Sequence, residues 1–292
     1  MTKNTSMNPS KNFSKNPLMN LGNMFSLPAV GFITPVAWFD PSPYEFTTAV
    51  HESVLSQQTM PLLPDFDFSL ESFASESLIE HLCLCARSLK ATGCSVIVLQ
   101  AGHPFAWANV KSETEARLRN ERIAAATALP TITTAFGIID ALRCYKVKKI
   151  AINATYNSSA WTNLFTSFME MCGFEVVHAS NFYQQGLAKP INEYNEEEHF
   201  RYADLADPVG EMLALLKASV QSVKERASGY EAIAIVGTGT RTLNVLCELE
   251  TIAQCPVIPA DTSVYWWAAQ HLNLKLLSNM GRFRDLSYQP SH

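Results

Sequence analysis

Apolar and polar positions divide this chain into short apolar runs and longer stretches with helical spacing, and the division occurs twice. AVGFIT (29–34), VIVLQA (96–101), KIAINA (149–154) and AIAIV (232–236) are nearly continuous apolar runs. Such runs read as central strands of parallel sheets, covered on both faces. TITT (131–134), FEVVHAS (174–180) and PVIPA (256–260) are shorter strands, and PLLPDFDF (61–68) reads as a Pro-broken edge strand or loop. Between them lie helical stretches. In 77–93, Ile79, Leu82, Cys83, Ala86 and Leu89 fall at helical spacing and Gly93 supplies the stop. In 208–227, Met212, Leu216, Val220 and Val223 share one face. Further helices are expected over 43–55, 112–128, from near Phe136, over 159–172 with Gly173 as stop, over 241–253 and from Thr262.

VIVLQAGHP (96–104) leads through a helix to LPTITTAFGIIDAL, and AIAIVGTGT (232–240) leads through a helix to CPVIPADTSVYWWAA. A repeat of strand, turn, helix, strand and helix is a duplicated α/β unit. The expected fold is two pseudo-symmetric α/β lobes, each a parallel four-stranded sheet flanked by helices. Residues 29–135 with 262–292 would form the first lobe and 136–261 the second. Ligands in such sheets bind beyond the carboxyl ends of the strands. That directs attention to Thr34–Asp40, Ala101–His103, Ala154–Asn157 and Gly237–Arg241.

Residues 1–28 are rich in Asn, Ser, Met and Lys, contain no acid and read as a disordered tail. NEYNEEEHF within 181–207 reads as a solvated acidic loop or lid, and the stretch from Asn279 has little pattern. A net charge of −5 argues against a nucleic-acid footprint, and no apolar run approaches membrane-spanning length. The seven cysteines form no CxxC pair and no zinc-finger spacing, so a reduced, cytoplasmic chain without a metal is expected. His81 and Cys85 share a helix face, an arrangement better explained by packing than by a metal.

GFITP, VIVLQAGHPFAW, ALPTITTAFGIIDALR, KKIAINATY and IAIVGTGTRTL occur in an order and spacing that resemble the aspartate/glutamate racemase superfamily, in particular its arylmalonate decarboxylase and maleate isomerase branch. The likeness spans most of residues 29–275. It implies an active site in the interlobe cleft that uses no cofactor and moves a proton beside a carboxylate or adds to a double bond. Members commonly hold one or two cysteines at corresponding strand ends. Here those positions fall on Ala101 or Gly102 and on Gly237, so neither lobe supplies the thiol.

Within that resemblance Tyr156 matches a tyrosine that donates to the substrate carboxylate, and Asn157 follows it. Its plainer alternative is an aromatic packed beneath a loop. His103 lies beside the missing first thiol and is the replacement acid/base, unless it only binds a turn carbonyl. Gly237, Thr238, Gly239 and Thr240 place glycines and hydroxyls at a strand-to-helix turn, where backbone N–H groups suit an anion. Arg241 would begin that helix, either pairing a second carboxylate or lying on the surface. Pro35, Trp38 and Asp40 follow the first strand. Trp38 and Phe39 would form an aromatic wall, and Asp40 is either a buried acid or a helix cap. A dinucleotide reading of GTGTRT, with Asp261 on the ribose, explains only one of the two copies.

The expected function is a cofactor-independent isomerase, racemase, decarboxylase or lyase acting on a small carboxylic acid, with His103 and Tyr156 as catalytic residues and Ala101 and Gly102 lining the site. The alternative is a carboxylate-binding or scaffold protein that has lost the thiols. Expected partners are a small carboxylate and, for assembly, further copies of the chain, with no nucleic acid and no membrane.

Overall fold

The computed structural model describes residues 26–34, 40–63, 66, 69–100, 103–155, 159–187, 208–237 and 239–289. The expected tail over residues 1–25 and most of the acidic segment lie outside the described residues.

Two four-stranded parallel sheets form, as the repeat implies. The first has the order β2-β1-β3-β4, from β1 (Ala29–Ile33), β2 (Leu55–Thr59), β3 (Val96–Leu99) and β4 (Thr131–Thr133). The second has the order β6-β5-β7-β8, from β5 (Lys149–Ala154), β6 (Glu175–Asn181), β7 (Ala232–Val236) and β8 (Val257–Pro259). The duplication extends to register. Val30 pairs with Val96 and Ile97 with Thr131, while Ile150 pairs with Ala232 and Ile233 with Val257. β1, β3 and β7 are buried at every position, which is why their sequences show no alternation.

Several expected boundaries move. The helix expected over 43–55 is Ser42–Ala49, and the edge strand β2 follows it as Leu55–Thr59, while part of 61–68, read as an edge strand or loop, lies outside the described residues. The polar LSQQT is half-exposed, as an edge strand can be, and its apolar signal is correspondingly weak. The helix Thr134–Cys144 starts directly from β4 with no loop, ahead of Phe136. The stretch from Asn279 is packed rather than patternless. Ser278–Asp285 forms two short 3₁₀ turns joined at a kink at Gly281, with Met280 and Phe283 fully buried, and Trp266 Nε1 donates to the Leu286 carbonyl at 2.8 Å. The other helices fall close to expectation: Glu76–Ala91, Glu113–Thr127, Ser159–Met171 and Pro208–Arg226.

Helices Thr134–Cys144 and Ala260–His271 join the two units. They approach so closely that a Cβ on Gly137 would lie 2.8 Å from both Ser263 Oγ and Val264 Cγ1. Although it follows β8 of the second sheet, Ala260–His271 places Tyr265 against Phe32 of β1 at 6.3 Å and Phe46 at 6.0 Å. That crossing carries a polar group from the second unit's own chain into the floor of the first. Among the described residues no helix is long and apolar enough to cross a membrane.

Candidate active site

The segment after β1 opens the site. Asp40 Oδ1 accepts from the Ser42 backbone N–H at 2.8 Å and from Ser42 Oγ at 2.5 Å, bracing the first turn of Ser42–Ala49. Asp40 thus ties down Ser42, the first residue of the helix whose N-cap is Pro41, and its carboxylate does a second thing. Arg241, which follows β7, brings Nη1 to 3.3 Å from Asp40 Oδ1, 2.7 Å from Ser42 Oγ, 3.2 Å from Glu45 Oε2 and 3.4 Å from Tyr265 Oη. Arg241 is thus no surface arginine. Tyr265 is fully buried and donates to Glu45 Oε2 at 2.9 Å.

Gln100, the residue after β3, ties the cluster to the sheet. Its Nε2 donates to Ser42 Oγ at 3.0 Å. Ser42 Oγ then donates once, to Asp40, and accepts twice, from Gln100 and Arg241. That saturation holds the amide in one orientation. Gln100 Oε1 is buried and has no hydrogen-bond partner among the described residues.

Burial raises the Glu45 pKa, and nearby Asp261 pushes the same way; Arg241 and the Tyr265 hydroxyl only partly offset them. Burial opposes the Arg241 charge, but Asp40, Tyr265 and Glu45 outweigh it and hold the guanidinium protonated. One cation faces two carboxylates, so the cluster has no positive charge to spare for a ligand.

The second sheet contributes a different kind of surface. Thr155, just after β5, donates its hydroxyl to the Val236 carbonyl at 3.0 Å and accepts from Thr240 Oγ1 at 2.7 Å. Both hydroxyl protons of this pair are used internally. Gly237 has φ +126°, and a Cβ there would lie 1.9 Å from Thr155 Oγ1. Only glycine fits this close approach at this backbone angle.

GTGTRT does not run straight into a helix, contrary to the sequence expectation. The helix is Leu246–Ala253, and residues 241–245 precede it in extended and turn conformation. The cause is Asp261, 1% exposed, which accepts from the Thr242 N–H at 2.8 Å and from Thr242 Oγ1 at 2.6 Å. With Thr242 held there and Arg241 drawn towards Asp40, the backbone cannot begin to coil at 241. The same contacts leave Asp261 occupied and remove the ribose role considered for it.

Of the residues nominated from sequence, the structure brings Asp40, Gly237, Gly239 and Thr240 to the strand ends, and His103 begins the short helix His103–Trp107. Pro35, Trp38, Ala101, Gly102, Tyr156, Asn157 and Thr238 lie outside the described residues, as does the His103 side chain. Sequence reasoning missed Ser42, Glu45, Gln100 and Tyr265, and it covered Thr155 only within the stretch Ala154–Asn157. Gln100 and Thr155 carried a usable signal, being polar residues at the mouths of apolar strands. Glu45 and Tyr265 are 220 positions apart and meet only through the fold.

The cysteines stand away from these strand ends. Cys83 and Cys85 lie in Glu76–Ala91, Cys144 ends its helix, and Cys247 lies in Leu246–Ala253. Burial raises the thiol pKa of Cys83, Cys85, Cys94 and Cys144, and takes Cys172 to about 12 and Cys255 to about 11. These thiols are poor nucleophiles near neutral pH. Iodoacetamide at pH 7 should therefore label exposed Cys247 first and leave ligand binding and turnover unchanged. Substrate-protected inactivation traced to one cysteine, read by mass spectrometry, would contradict this. Among the described residues no three His, Cys, Asp or Glu side chains cluster as metal ligands.

Comparison with known proteins follows the same outline. The family model for arylmalonate decarboxylase matches residues 67–283. A variant of arylmalonate decarboxylase in its sulfate-associated form superposes with a TM-score of 0.67 at 18% identity, covering 88% of this chain and all of that one. The maleate isomerase Iso from Pseudomonas putida S16 gives 0.64 at 18% identity, covering 88% of this chain and 98% of that one. The Nocardia farcinica maleate cis-trans isomerase, in a cysteine-to-serine variant with a covalently bound succinylcysteine intermediate, gives 0.63 at 14% identity, covering 91% and 100%. Identities this low establish a shared fold. No curated protein sequence matches.

Proposed function

Since the chain belongs to the arylmalonate decarboxylase family, we propose that it is a cofactor-independent enzyme that decarboxylates or isomerises a small carboxylic acid where the ends of its two sheets meet. The observation that carries this reading is a single hydrogen-bonded constellation. Asp40, Ser42 and Gln100 follow strands of the first sheet, Arg241 follows a strand of the second, and all four are linked through Ser42. The neighbouring segments bear the nominated ligand-binding residues Pro35, Trp38, Ala101, Gly102, Asn157, Gly237, Thr238, Gly239 and Thr240.

Because Arg241 is already matched by carboxylates, the substrate carboxylate is held by neutral donors, the Tyr156 hydroxyl and backbone N–H groups. Pre-placed donors of that kind stabilise an enediolate as its charge develops. In a decarboxylation the carbon–carbon bond breaks, carbon dioxide leaves and the electron pair remains in the enediolate. His103 then supplies the proton that the carbon takes up. The thiol route implied by a succinylcysteine intermediate in the Nocardia enzyme is not available at Gly237, where a side chain has no room.

That lack of room also favours a second reading, a carboxylate-binding protein without turnover. Incubation with arylmalonates, alkylmalonates, maleate and amino acids in D₂O, followed by proton NMR, separates the two. Product or deuterium at the carbon beside the carboxylate is the expected result. A raised melting temperature with no chemistry for any of them would select the binding protein.

A further inference from the structure

We propose that Arg241 is a positioning residue: its guanidinium is a plug from the second sheet that fills a socket of Asp40, Ser42, Glu45 and Tyr265 on the first, and so sets the spacing between the two sets of strand ends. This assignment is independent of the reaction catalysed.

The socket is built before the plug enters. Asp40 and Ser42 are locked by the turn that starts Ser42–Ala49, and Gln100 anchors Ser42 to β3. Phe32, Phe46 and Tyr265 form a triangle of edge-on rings with centroids 6.0 to 6.3 Å apart, which fixes the Tyr265 hydroxyl. Four oxygens on two chain segments, residues 40–45 and Tyr265, converge on Nη1. Nη1 carries two N–H groups, which the four oxygens share, and a delocalised guanidinium, more weakly hydrated than an ammonium, is the cation better suited to such a buried set.

The plug has equally little slack. Thr240, on one side of it, donates to Thr155, and Thr242, on the other, is gripped by Asp261. The Gly237–Thr242 turn therefore takes its position from both sheets at once. Moving the sheets apart would have to pull a guanidinium out of a buried anionic socket, leaving its carboxylates unpaired.

The charge balance gives the socket a pH signature. The groups facing Glu45 are Arg241 from the turn after β7, Tyr265 and Asp261 from Ala260–His271, and Asp40 through their shared guanidinium. Asp40 matches the Arg241 charge, so an ionised Glu45 adds a buried negative charge with no counterpart. Because its folded pKa is raised, the stability Glu45 contributes is complete in acid, below its ordinary value of 4.5. It is lost as the pH rises through the folded value.

The test uses full-length Arg241→Ala with ethylguanidinium as the probe and ethylammonium as the control, each at about 10 mM. The variant should melt on the order of 10 °C below the parent. Hydrogen exchange should quicken together in residues 40–49 and 237–246 while β3 and β7 stay protected. Ethylguanidinium should reverse both changes and ethylammonium neither. An unchanged melting temperature, loosening of only one segment, or equal effects of the two cations would overturn the plug. If Arg241→Ala is recovered only unfolded, refolding with ethylguanidinium alone supports the socket, and refolding with neither cation refutes it. Glu45→Gln adds a charge-specific readout. It should flatten the decline of melting temperature with rising pH, and an undiminished decline would contradict the charge balance.

Discussion

Replacing His103 with alanine is expected to lower turnover of the true substrate by about two to four orders of magnitude. The expectation rests on position and on elimination. His103 opens the helix His103–Trp107, three residues beyond Gln100 and four beyond the end of β3. The acids at the other strand ends are otherwise engaged: Asp40 braces a helix and pairs Arg241, and Asp261 holds Thr242. The cysteines lie away from these strand ends, and Cys85, Cys94 and Cys172 are buried. An imidazole is the remaining group at the first sheet's strand ends that ordinarily changes charge near neutral pH. The pH–rate profile of the parent should show a limb that falls as the pH rises and the donor loses its proton. The alanine variant should lose that limb along with the rate. Unchanged turnover and an unchanged profile would remove His103 from the mechanism. Glu45, whose carboxyl burial keeps protonated to higher pH, would then be the acid to examine.

Placing a thiol at the end of β7 should fail for a steric reason. Gly237→Cys is expected to destabilise the protein by about 2–4 kcal/mol and to yield no thiol-dependent activity. A Cβ at 237 meets Thr155 Oγ1 at 1.9 Å and Thr155 Cβ at 3.2 Å, and the backbone there sits at φ +126°. Thr155 cannot yield cheaply, because its hydroxyl bonds the Val236 carbonyl and receives Thr240. Adding Thr155→Ala should recover part of the loss, since it removes the nearer clash but not the backbone strain. Chemical denaturation of the single and double variants measures both effects. A Gly237→Cys protein as stable as the parent would show that this turn is not packed as described.

The elements that were misplaced from sequence share a cause. LSQQT of β2 is an edge strand, so it carries no apolar run to mark it. The start of Leu246–Ala253 was set by Asp261, a residue fifteen positions beyond Leu246 that holds Thr242 in place. The C-terminal stretch seemed patternless because a kink at Gly281 separates Met280 from Phe283, so the two buried residues follow no single helical or strand period, and Phe283 packs against Trp266. In each case a contact distant in the chain outweighed local periodicity.

What the sequence by itself determined is the duplicated framework: the buried parallel strands, their helices, and the four strand ends where polar and small residues interrupt apolar runs. These follow from burial and periodicity, which are local and repeated, so they are written plainly in the order of residues. The tertiary structure alone decided how the polar residues at those ends are used. It turned Arg241 from a ligand-binding or surface candidate into a half-buried plug, made Asp40 its partner and a helix brace, and brought Glu45 to Tyr265. Side-chain oxygens and a guanidinium recruit partners by distance in space, and the distances between separate strand ends exist only once both sheets have formed and packed.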